Sequence, residues 1–160
     1  MPIVDYPFQA QGVFSQPSPI LPILITNPHD GSQFRTWGLV DTGAMATVIP
    51  GFIARIIGHN VENVAPSSGH GAGGQLTVYP HTCSIEILLI DSNGNVNENV
   101  IAIRIPPRNV GVINGLPGVL LGVNDFLKMY VLRIDYPRKI FSIRHPRPLQ
   151  RKKKIKHRRR

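Results

Sequence analysis

The stretch Trp37-Gly-Leu-Val-Asp-Thr-Gly-Ala-Met-Ala-Thr-Val-Ile-Pro50 decides how the rest of the chain is read. Two apolar, strand-like runs flank an Asp-Thr-Gly-Ala turn, Asp41 to Ala44. That order sets a carboxylate at the end of a buried strand and follows it with residues suited to a tight turn. The turn occurs once in 160 residues. If Asp41 is half of an acid/base pair, its partner must come from a second copy of the chain.

Before the turn, residues 34–40 read as the strand that delivers Asp41. They follow a turn cluster at 27–32 and an apolar strand at 20–26. Pro22 inside that strand predicts an edge position or a bulge, because proline cannot donate to a ladder. Residues 1–18 read as a loose arm with one short strand. After the turn, 46–49 leave as a short strand, and Phe52, Ile53, Ile56 and Ile57 recur at helical spacing behind Pro50. A Gly-rich stretch at 65–74 precedes strands at 75–79 and 81–90, the second alternating through Cys83, Ile85, Ile87 and Leu89. A hairpin-type turn at 91–95 leads into a returning strand at 99–105. Residues 119–122 read as a buried strand ending in Gly, 124–130 as a short helix capped by Asn124, and 131–135 with 139–143 as a last hairpin. No internal repeat is visible.

Composition agrees with a mostly β domain. The 15 Gly and 15 Pro cut the chain into short extended runs, and 42% hydrophobic residues suffice for one core. The net charge of +9 is unevenly spread: residues 151–160 carry eight of the 18 basic side chains and no acid. The remainder carries ten basic and nine acidic groups, so the body is close to neutral. Three segments follow: an arm at 1–18, a domain at 19–148 and a basic tail at 149–160. The tail reads either as a disordered solubilising end or as a weak, non-specific contact for RNA or an anionic surface. Cys83 is the only cysteine, which excludes an intrachain disulfide and suits a buried strand position. The N-terminal residues lack a signal-peptide pattern and no run approaches a membrane span, so the expected location is cytoplasmic.

Peptide hydrolysis without a metal or a covalent intermediate needs two carboxylates that share one proton. One acts as base to a water while the other, protonated, polarises the scissile carbonyl; two carboxylates held close together cannot both ionise, so their protonation is split. Asp41 suits one half of that pair. Gly43 permits close backbone approach, Thr42 offers a short hydroxyl, and Ala44 keeps the floor small. Alone, the tripeptide reads more readily as an ordinary turn.

Three further features shift the balance: the apolar flanks Leu39-Val40 and Thr47-Val48-Ile49, the Gly-rich hairpin candidate Gly69 to Gly74, and Leu120-Leu121-Gly122 followed by Asn124-Asp-Phe-Leu127. In this order they resemble the retropepsin-like aspartic proteases over roughly residues 20–145. The resemblance implies a closed-barrel-like acid-protease fold with one or two short helices, working as a homodimer that cleaves peptides without a cofactor or metal. It makes Asp41 the catalytic residue and Thr42, Gly43 and Ala44 the support of its turn. It places His70, Gly71, Ala72 and Gly73 at a flap tip, and Leu120, Leu121 and Gly122 in the strand beneath the turn. Many retroviral members carry an Asp after the turn's Ala that pairs with an Arg after the later Gly; here those positions are Met45 and Val123. Both halves of that ion pair are missing together, which leaves substrate anchoring and dimer strength open, and interleaved termini are not assumed.

Other motifs carry less. Gly69-His-Gly-Ala-Gly-Gly74 formally fits a dinucleotide loop, but the strand before it and the helix after it are missing. The six histidines form no metal-ligand spacing. Asp125 reads as an early-helix residue and Asp135 as a hairpin residue near Arg133 or Arg138, since neither is followed by Thr-Gly or Ser-Gly. Val48, Val78 and Ile113 are expected to line the cleft and favour hydrophobic side chains around the cut. The rival from another class is a non-catalytic dimer of the same fold acting as a peptide- or RNA-associated binding module.

Overall fold

The computed structural model describes residues 3–71, 73–90 and 95–146. The flap residue Ala72, most of the turn expected at 91–95 and the basic tail lie outside them. No helix among the described residues is long and apolar enough to cross a membrane.

Two sheets make up the fold. In the larger one, strands β2 (Ile20–Thr26), β3 (Gln33–Val40), β8 (Val119–Leu121), β4 (Val48–Pro50), β7 (Val96–Ile113) and β6 (Gly74–Ile90) lie side by side in that order. A second pairing, β2 with β6, closes these six strands into a barrel. Strand β5 (Ser67–Gly71) extends from β6 as a hairpin arm. The smaller sheet has three strands in the order β1 (Ile3–Pro7), β10 (Ile140–Arg144) and β9 (Val131–Asp135). The one strand expected in the N-terminal arm is β1, and it pairs antiparallel with β10.

Closure explains the apolar run of β2. Ile20 to Leu24 and Ile25 are all buried, as expected for a strand covered on both faces. Pro22 does not mark an edge strand, because β2 has neighbours on both sides from Ile23 to Thr26. It stands one residue outside the β6 ladder, so its missing N–H removes no bond from that pairing. Pro80 is accommodated in the same way, and the two strands expected at 75–79 and 81–90 are one strand, β6. Its pairing with β5 ends at Val78, just before the proline.

The helix after Pro50, α1 (Gly51–Ile56), is short. Ile53, Ala54 and Ile57 face the core, while Phe52 and Ile56 are more than half open to solvent or close to it, at 50% and 57%. This short helix turns only Ile53 and Ala54 inward, with Ile57 just past its end; the ring of Phe52 instead rests edge-on against Phe34 at 6.3 Å. The helix expected at 124–130 is a run of turns ending in the 3-10 helix Leu127–Met129. Asn124 does not cap it. The backbone N–H groups of Val123 and Asn124 donate instead to the carbonyls of Ala44 and Met45, at 2.9 and 2.8 Å.

Inside the barrel, Ile23, Ile25, Ile49, Ile85, Ile87, Val112, Leu121 and Phe126 are almost wholly excluded from water. Cys83 lies among them, fully buried, and burial pushes its thiol up to about 12.

Candidate active site

Asp41 follows directly on β3. That strand runs parallel to β8 with Val40 opposite Leu121, and the Asp41 N–H donates to the Leu121 carbonyl at 3.1 Å. The chain then turns. The Gly43 N–H donates to Asp41 Oδ1 at 2.8 Å and the Ala44 N–H to the Asp41 carbonyl at 3.4 Å. The first of these bonds fixes the orientation of the carboxylate from its own turn. Asp41 is half-buried, Thr42 and Gly43 are exposed, and the Thr42 hydroxyl has no hydrogen-bond partner among the described residues.

Leu120, Leu121 and Gly122 run beneath this turn. A Cβ on Gly122 would overlap the backbone of Ala46, so only glycine lets the two segments cross this closely. Leu121 is fully buried behind the turn, whereas Leu120 borders the cleft above it. Three side chains not singled out from the sequence as site residues complete the support. The Thr47 N–H and hydroxyl both donate to the Asp125 carboxylate at 3.0 Å, and the Gly122 N–H donates to Thr47 Oγ1 at 3.1 Å. Arg108 Nη1 donates to the Asp125 carbonyl at 2.7 Å. Asp125 is thus a buried clamp for the segment leaving the turn, not an early-helix residue. The available signal was Thr47, six positions after Asp41, set against Asp125, three after Gly122. Asp135 takes the expected hairpin role and pairs with Arg138 at 3.2 Å.

Above the turn lies a cleft of about 700 Å³. Asp41, Gly43 and Ala44 form its floor; Met45, Val48, Val110 and Ile113 contribute apolar walls; Gly69, His70, Gly71, Leu76 and Val78 reach it from the β5–β6 hairpin. All three residues expected to line it (Val48, Val78 and Ile113) do so. The hairpin pairs Ser67 with Val78 through to Gly71 with Gly74. Gly74 takes φ +110°, a conformation side chains disfavour, and Gly73 sits in the turn. Of the sequence-derived residues, Asp41, Gly43, Ala44, His70, Gly71 and Leu120 therefore share one cavity. Among the described residues that line it, Asp41 is the only acidic side chain.

No family model and no curated protein matches this chain. Solved structures do. A retropepsin-like aspartic protease from Rickettsia conorii superimposes with a TM-score of 0.50 at 20% identity, covering 78% of this chain and 90% of that one. The EIAV protease complexed with the inhibitor HBY-793 superimposes with a TM-score of 0.46 at 19% identity, over 69% of this chain and 86% of that one. The chain has a retropepsin-like fold.

Proposed function

We propose that this chain is an aspartic endopeptidase that acts as a homodimer in the cytoplasm, with Asp41 of each copy sharing one proton and one water. The observation that carries the reading is a single carboxylate held by its own turn at the floor of an apolar cleft. One carboxylate has no partner to exchange a proton with, and the exposed Thr42 and Gly43 leave the turn accessible to an identical one.

In the reaction, the ionised carboxylate takes a proton from the water as its oxygen attacks the peptide carbonyl carbon. The protonated carboxyl donates to the carbonyl oxygen, giving a neutral tetrahedral diol. Collapse breaks the C–N bond, the amine leaves with a proton from the dyad, and one of the two diol protons returns the pair to its singly protonated state while the other stays on the new carboxyl group. An extended peptide fits beneath the β5–β6 hairpin as an added strand, held by backbone hydrogen bonds, with apolar side chains set against Val48, Val78 and Ile113.

The test compares the parent with Asp41→Asn on an unfolded protein substrate, with and without a statine-type inhibitor. Inhibitable cleavage confined to the parent is expected. Equal cleavage by the variant would remove Asp41 from the mechanism.

A further inference from the structure

Much of the stretch expected as a loose arm is a closed loop. Gln9 and Ser18 exchange two backbone hydrogen bonds, each at 2.9 Å. The Phe14 N–H donates to the Gln11 carbonyl at 3.0 Å across a turn in which Gly12 takes φ +59°. The base of the loop meets the strand that carries Asp41: the Pro19 carbonyl accepts from the Val40 N–H at 2.9 Å. Its tip reaches a different segment. A Cβ on Gly118 would overlap Val13 Cγ2 and Phe14 Cζ, at 2.7 and 2.8 Å, so both side chains rest on that glycine.

Gly118 ends the connection between β7 and β8, Asn114-Gly-Leu-Pro-Gly118, and the same connection supplies Leu116 to the wall of the cleft. Its two ends are anchored. Asn114 donates to Glu62 at 3.2 Å and accepts from Arg55 at 3.1 Å, while Val119 is paired in β8 opposite Gly38. The middle is weakly built. Gly115 takes φ +79°, Pro117 has no N–H, and the turn closes on a long bond from the Leu116 N–H to the Ile113 carbonyl at 3.5 Å. Val13 and Phe14 press on this stretch from outside the cleft, and neither lines it.

We propose that the Gln9–Ser18 loop is a selectivity element of the cleft: Val13 and Phe14, seated on Gly118, position Leu116 and so set the size of apolar side chain accepted beside the cut. The proposal rests on the peptidase reading above and gives the arm a part in it. An apolar pocket discriminates by how far its wall yields, since a single methylene too many or too few alters the rate about tenfold or more. The connection that carries Leu116 has little internal support, so its position depends on what stands behind it. The half-buried Phe14 ring fills that space and denies Leu116 room to retreat. Without the ring the wall can move outward, and a larger substrate side chain fits. Val13 and Phe14 are therefore positioning residues that act through Leu116. Because Pro19 also holds Val40, one loop braces the wall of the cleft and the strand leading to its floor.

Steady-state kinetics on the full chain test this, using two peptides that differ only in Leu or Trp beside the cut. In Phe14→Ala the Trp-to-Leu ratio of kcat/KM should rise about threefold or more, through KM with kcat held, and Phe14→Leu should return it towards the parent value. Gly118→Ala, whose methyl group would dislodge both side chains, should shift the ratio in the same direction. Combined with Phe14→Ala it should add less than the sum of the two, because both act at one contact. An active Phe14→Ala or Gly118→Ala with the parent's ratio overturns the selectivity role and leaves the peptidase standing. So does an equal loss of rate on both peptides, the mark of a merely structural contact. A parent that cleaves neither peptide nor an unfolded protein overturns the peptidase reading, and this one with it.

Discussion

The backbone N–H and the hydroxyl of Thr47 both end on the carboxylate of Asp125, each at 3.0 Å, and so join two segments 78 positions apart. Replacing Asp125 with Ala leaves the Thr47 N–H buried without an acceptor, a loss of about 1–3 kcal/mol. The melting temperature of Asp125→Ala should therefore fall by several degrees and its kcat should drop, while Asp125→Asn keeps an acceptor and loses less. Calorimetry beside steady-state kinetics decides; an alanine variant that melts with the parent would remove the clamp from this account.

Gly122→Ala should be more damaging, since its methyl group would meet the Ala46 backbone and neither segment is free to retreat. A destabilisation of about 1–3 kcal/mol or more is expected from such overpacking. Denaturant titration measures it. A midpoint equal to the parent's would mean that the crossing of the two segments is looser than described.

Mixing supplies a prediction specific to a shared site. If the parent is equilibrated with an equal amount of Asp41→Asn, random pairing leaves about a quarter of the dimers with both carboxylates. Activity per parent molecule should then halve, whereas independent monomers would keep it unchanged. Peptide cleavage rates across a mixing series distinguish the two.

A pH dependence follows from the buried imidazole of His59. His59 and His81 have ring centres 4.7 Å apart; His59 Nε2 lies 3.4 Å from Cys83 Sγ, and His81 Nε2 lies 3.0 Å from the Val61 carbonyl oxygen. Burial holds the His59 pKa below its ordinary value. His81 and His29 act in the same direction, while Asp30 and the Thr82 backbone oppose them. With the folded pKa depressed, the unfolded chain takes up the proton first as the pH falls. The stability tied to His59 is intact above the ordinary histidine range and declines as the pH drops from there through the folded value. The melting temperature should fall between about pH 7 and pH 5, and His59→Gln should flatten that limb. A parent curve level over this interval would contradict it. The same decline would limit how far into acid a peptidase built on this barrel works.

Cys83 offers a probe of opening. Its thiol is wholly buried and pushed up to about 12, so little of it is the reactive thiolate at neutral pH. An aromatic disulfide reagent should leave the native protein unmodified and react at once after denaturation. Rapid native labelling would show that the barrel wall opens locally.

What could be read from sequence was local. The Asp41 turn, the glycine hairpin and the Leu-Leu-Gly strand each occupy a few adjacent residues whose types dictate their backbone. Contacts distant in sequence were not legible. Closure of the barrel depends on β2 meeting β6 some sixty positions away, so Pro22 looked like an edge marker until both neighbours were known. The helix expected at 124–130 is replaced by turns in which the Leu127 and Lys128 N–H groups reach back five positions, to the Gly122 and Val123 carbonyls, a pattern that no propensity scale records. The clamp role of Asp125 is likewise invisible locally, because its partner, Thr47, lies 78 positions away.

Ile3 stands opposite Ile143 across the ladder of β1 and β10. The first and last described strands therefore finish within a few ångströms of each other, and a short flexible linker would bridge them. A circularly permuted version, reopened at the exposed residues 28–31 between β2 and β3, would keep every ladder while moving the chain ends to that turn. Attachment points for a label or a tether are thus a matter of choice in this molecule.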